Sequence, residues 1–72
     1  VILNPEALIH FIDEETGIIL LKKISLFIPS LGSGVRLGGL GDGKFYRIER
    51  IIWNYDEPDC PFTRVNIGVK EA

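Results

Sequence analysis

Few side chains in this 72-residue chain have types suited to chemistry, and their spacing narrows the field further. His10 and Cys60 are the single imidazole and the single thiol. Together they could form a nucleophile–base pair, the imidazole drawing the proton from the thiol. Such a pair needs a thiol of depressed pKa. Cys60 stands between Asp59 and Pro61 in the run DEPDCP (residues 56–61), where neighbouring carboxylates push a thiol the other way. A packed or simply exposed thiol is the better reading, and no catalytic residue is expected. His10, Asp56, Glu57, Asp59 and Cys60 are also the candidate metal ligands. One His and one Cys without paired spacing do not make a closed zinc site. The carboxylate run lacks the spacing and terminal Glu of a calcium loop. It reads as a solvated acidic loop, so neither metal nor cofactor is expected.

GGLGDGK (residues 38–44) matches the opening of a phosphate-binding loop, G-x-x-x-x-G-K. The pattern then needs Ser or Thr for magnesium and a helix whose N-terminal amides meet the phosphates. Phe45 stands there instead and opens a strand. The glycines are read as a turn between two strands.

The elements that would position these residues are mostly strands. Residues 18–28 (IILLKKISLFI) alternate, with Ile18, Leu20, Ile24, Leu26 and Ile28 on one face, interrupted by Lys22. Pro29 ends that strand, and SLGSG (30–34) is a loop. Val35, Arg36 and Leu37 form a short strand. Residues 45–55 (FYRIERIIWNY) form a long one with aromatics at both ends. The prolines of residues 56–61 require a loop. Residues 63–69 alternate without a fault: Thr63, Val65, Ile67 and Val69 on one face, Arg64, Asn66, Gly68 and the following Lys70 on the other.

The N-terminal third has two readings. Asn4, Pro5 and Glu6 resemble a helix start, with Gly17 as its C-cap, which would make residues 5–16 a helix. Alternatively DEETG (13–17) is a hairpin loop, with Gly17 at positive φ and Asp13 bonding backbone amides. The hairpin is favoured, because the strand from Ile18 onward needs a partner.

Residues 1–72 are read as a single domain, all-β or β with one short N-terminal helix. Four or five strands with short loops suggest a small, strongly bent antiparallel barrel of about five strands. Across residues 27–69 the order Pro, glycine loop, short strand, glycine turn and long strand with Tyr46 and Ile48 resembles the SH3-like class of barrels. This is a likeness of pattern. At 46% hydrophobic residues the chain is too apolar for a disordered tail. Its longest apolar run, Ile18 to Leu21, is far below the roughly 20 residues that span a bilayer, so no membrane is expected. The chain starts at Val1 without a signal-peptide pattern, and one cysteine suits a reducing, cytoplasmic setting.

Charge placement says more than the net −2. Residues 1–21 hold Glu6, Asp13, Glu14 and Glu15 with no Lys or Arg, giving −4. Residues 22–50 hold Lys22, Lys23, Arg36, Lys44, Arg47 and Arg50 against Asp42 and Glu49, giving +4. Residues 51–72 hold Asp56, Glu57, Asp59 and Glu71 against Arg64 and Lys70, giving −2. The basic middle coincides with the aromatic strand. Strict alternation there would place Phe45, Arg47, Glu49, Ile51, Trp53 and Tyr55 on one face and Tyr46, Ile48, Arg50, Ile52 and Asn54 on the other. Trp, Tyr and Arg dominate binding energy at protein interfaces.

The expectation is therefore a non-catalytic protein-binding module, self-association as a homodimer included. Arg47, Trp53, Tyr55, Cys60 and Phe62 would form the contact region, with Lys44, Arg36 and Arg50 as a basic patch. Core packing is the plainer reading of Trp53. A single-stranded nucleic-acid module is the first alternative, since aromatic and Arg side chains also stack bases. The acidic ends weigh against it. A small regulator or inhibitor of a phage or other mobile element is the second.

Overall fold

The computed structural model describes residues 7–25, 27–54 and 63–72. They form five strands, β1 (Ala7–Asp13), β2 (Ile19–Ser25), β3 (Gly34–Leu37), β4 (Lys44–Asn54) and β5 (Thr63–Glu71), with one 3-10 turn over Gly39–Gly41. The sheet order is β2-β1-β5-β4-β3. The sheet curls into a half-barrel, consistent with a small SH3-like barrel.

Of the two N-terminal readings, the hairpin is the one that forms. Asp13 Oδ1 accepts the Glu15 N–H at 2.9 Å. The Gly17 N–H donates to the Asp13 carbonyl at 2.7 Å, and the Asp13 N–H to the Ile18 carbonyl at 2.9 Å. Gly17 has φ 77, a conformation that a β-carbon makes costly. β2 is shorter than its alternation suggests. Its pairing with β1 ends at Ala7–Ser25. Past that point Phe27 is outside the sheet and exposed.

The expectation of an antiparallel sheet holds for β1–β2, β3–β4 and β4–β5, but β1 and β5 run parallel. Alternation is blind to this, since residues i and i+2 share a face in either direction. β5 is the central strand. Its Val65, Ile67 and Val69 are fully buried, and they pack with Ile9, Phe11, Tyr46, Ile48, Leu20 and Leu37 in one core.

Two irregularities bend the sheet. The register shifts in β1–β2 between Phe11 and Ile12, and in β4–β5 between Ile48 and Arg50. A bulge adds a residue to one strand and increases its local twist. The second shift corrects the two-face reading of residues 45–55. Tyr46 and Ile48 share the buried face, but beyond Glu49 the parity changes. Ile51 then packs on the core beside Ile67, while Arg50 and Ile52 turn outward.

The 3-10 turn draws the two ends of the curled sheet together by packing against β2. Gly39 makes this approach possible: its φ is 56, and an added β-carbon would lie 3.1 Å from the Leu20 carbonyl oxygen. The turn and β2 leave an open apolar groove between Ile19, Leu21 and Leu40.

Candidate functional site

Registered neighbours in a sheet share a face, so the pairing alone assembles the outer surface. One row across it is Ile24, Leu8, Arg64 and Asn54. The next is Lys22, His10, Asn66 and Ile52. A third brings Ile12 and Gly68 beside Arg50, and a fourth sets Arg47 directly opposite Lys70. Arg36 and Phe45 pair at the β3 edge, the guanidinium 5.5 Å from the ring centroid. The same Phe45 ring covers Gly34, where an added β-carbon would sit 2.8 Å from it.

This face is mixed in composition and largely of one sign. Ile24 is 50% exposed and Ile52 44%, with Leu8 and Ile12 half-buried beside them. The acids reaching it are engaged: Glu49 accepts from Arg47 Nε at 2.7 Å, and Glu14 lies 3.5 Å from Arg50 Nε. Glu14 reaches Arg50 by lying over Gly68, where an added β-carbon would run into its carboxylate. Gly68→Ala therefore displaces Glu14. The obstructing atoms end a flexible side chain and Arg50 is mostly exposed, so the expected loss is below about 1 kcal/mol. Urea unfolding in wild-type and Glu14→Gln backgrounds checks it, because the part due to the ion pair vanishes in the second.

His10 sits at the centre, between Lys22 on β2 and Asn66 on β5, with Arg64 one row away. Partial burial, then the charges of Lys22 and Arg64, hold its imidazole below the ordinary value of about 6.5. The folded state thus binds this proton less readily than the unfolded chain. Stability is unaffected well above pH 6.5, falls as the pH drops through that value, and levels off below the folded pKa. Thermal unfolding from about pH 7.5 to 5 should show this slope, and His10→Gln should flatten it.

Of the expected contact residues, the two that are described, Arg47 and Trp53, lie on opposite faces of the sheet. Arg47 is on the outer face. Trp53 registers with Val65 on the core face and is 46% exposed at the end of the core. Tyr55, Cys60 and Phe62 lie outside the described residues, as does the acidic run 56–61. The basic patch divides in the same way. Arg36 and Arg50 are on the outer face, whereas Lys44 stands 3.8 Å from Glu71 where β4 begins. Lys22, Arg64, Lys70 and His10 join the surface without having been expected there. The alternation of β5 had put Arg64 and Lys70 on the polar side, but it could not say which strands lie alongside.

Among the described residues, no three His, Cys, Asp or Glu side chains come together to hold a metal ion. Among them, too, no helix is long and apolar enough to cross a membrane. Comparison with protein-family models, with curated proteins and with solved structures finds no match to this chain.

Proposed function

We propose that this chain is a small non-catalytic protein-binding module that docks its partner on the outer face of the curled sheet. The observation that carries the reading is the exposure of Ile24 and Ile52 on a face that also holds Leu8, Ile12 and a set of arginines and lysines. Ile24 and Ile52 are three strand spacings apart, about 14 Å across the sheet at ~4.8 Å each. Apolar side chains spread over that width, with Arg between them, match the make-up of protein interfaces. A second copy of the same face is a poor partner, because two-fold packing would oppose cations such as Arg50, Arg47 and Lys70. A reducing, cytoplasmic setting fits the single cysteine.

The test is retention of proteins on the immobilised chain, followed by calorimetry with each purified candidate. Support is a partner whose affinity drops at least about tenfold with Ile24→Asp or Ile52→Asp, in variants that keep the wild-type circular dichroism. Affinity untouched by both substitutions removes the outer face as the docking surface. Sedimentation showing a dimer that the same substitutions dissociate would make the partner a second copy after all.

A further inference from the structure

We infer that the segment docking on this face is acidic as well as apolar, its carboxylates meeting the cations along β2, β5 and β4 and its apolar side chains meeting Ile24, Leu8 and Ile52. The inference rests on the protein-binding reading above and adds the chemistry of the partner.

Three observations carry it. Cations crowd one another on this face: Arg47 is directly opposite Lys70, and Lys22 and Arg64 both lie close enough to His10 to disfavour its protonation. Like charges directly opposite in a sheet are destabilising. An arrangement unfavourable in the free chain becomes favourable when carboxylates are laid across it. Secondly, the chain's own acids show how such a contact is made. Glu14 lies over Gly68 to meet Arg50, and Glu49 meets Arg47. No described acid registers beside Lys22, His10 or Lys70 on this face. Thirdly, the apolar side chains that register across the face are aliphatic. Leu8, Ile12, Ile24 and Ile52 cannot stack bases, and Phe45, with Arg36 against its ring, is away at the β3 edge. Single-stranded nucleic acid is held by aromatic platforms in a basic groove, whereas aliphatic side chains interspersed with cations suit an amphipathic acidic polypeptide.

His10 makes the site observable. Carboxylates beside it favour the imidazolium that Lys22 and Arg64 disfavour, so an acidic ligand raises its pKa. Lys22 from β2 and Arg64 from β5 are the charged groups registered around it, and Asn66 is neutral. Binding then tightens as the pH falls from about 7 to about 5.5, where glutamates of pKa about 4.3 stay ionised.

The experiment titrates the full chain, followed by NMR of the His10 ring and the isoleucine methyls, with three probes. These are a short peptide alternating Glu and Leu, the matching Lys and Leu peptide, and a thymidine oligonucleotide. The expected result is binding of the Glu peptide, with shifts at His10, Ile24 and Ile52 and a raised His10 pKa. Affinity should fall with salt and by about threefold or more with Lys22→Glu or Lys70→Glu. His10→Gln should retain the binding and lose its pH dependence. Equal binding of the Lys and Glu peptides, both lost with Ile52→Asp, overturns the acidic preference and leaves the docking surface standing. Tighter binding of the oligonucleotide at the same residues overturns it in favour of nucleic acid. Absence of binding by the Glu peptide also overturns it, and the partner retained in the preceding experiment then decides separately on the docking surface.

Discussion

Ile67→Ala should lower the free energy of unfolding by about 2–5 kcal/mol, read from the urea midpoint at constant slope. Ile67 is fully buried on the central strand and registers with Phe11 on one side and Ile51 on the other. Truncation removes transfer energy and leaves a cavity that neither neighbouring strand can close without breaking its own pairing. A domain of this length is expected to hold about 4–11 kcal/mol in all, at ~0.05–0.15 per residue. The variant is therefore marginal, and a broad or missing transition at 37 °C is an acceptable form of the result. Ile52→Ala, on the neighbouring strand but 44% exposed, is the control and should cost well under about 1 kcal/mol. Equal losses at the two positions would mean that the outer face is covered in solution.

Gly41→Ala should be the second most damaging change, at about 1–3 kcal/mol. Gly41 is the buried last residue of the 3-10 turn, and an added β-carbon would lie 2.6 Å from the Leu37 β-carbon and 3.5 Å from the Tyr46 ring. The Leu37 β-carbon is fixed to the backbone and cannot swing aside, so the turn or the β3–β4 hairpin must shift. The same turn accepts a long hydrogen bond of 3.5 Å from the Tyr46 hydroxyl at the Gly41 carbonyl. It also closes against β2, and the expected damage includes a loosened end of the half-barrel. Gly38→Ala separates this from a general loss of glycine. Gly38 has φ −81 and nothing within 4 Å of an added β-carbon, so the change should be neutral or slightly stabilising through the unfolded chain. Thermal unfolding of the pair checks both signs at once.

Both variants probe places where residue pattern and structure agree to different degrees. Ile67 was legible as core, because the apolar residues Val65, Ile67 and Val69 at alternate positions share a face whatever their neighbours. Gly41 was legible only as part of a turn. Its burial depends on Leu37 and Tyr46 meeting above it. The candidate surface divides in the same way. Arg47, Arg36 and Arg50 were recognisable as a basic group because they are close in the chain. Lys22, His10, Arg64 and Lys70 belong to β2, β1 and β5, and only pairing across the sheet brings them beside those arginines. Grouping Arg47 with Trp53 failed because a register shift at Glu49 turns the later half of β4 over, and nothing in FYRIERIIWNY marks that shift.

Taken alone, the order of residues determined strands β2 to β5, the glycine turn before β4 and the buried face of β5, and it favoured the Asp13–Gly17 hairpin over a helix. These are local matters of alternation, left-handed backbone and side chains that bond their own main chain. The tertiary structure alone decided that β1 runs parallel to β5, that the half-barrel closes through Gly39, and that the outer face gathers cations from β2, β3, β4 and β5. Direction and neighbourhood are set by which strands pair, and an alternating pattern is the same for either choice. The separation of charge into acidic ends and a basic middle is a fact of the chain. Its conversion into one cationic, half-apolar surface is a fact of the sheet.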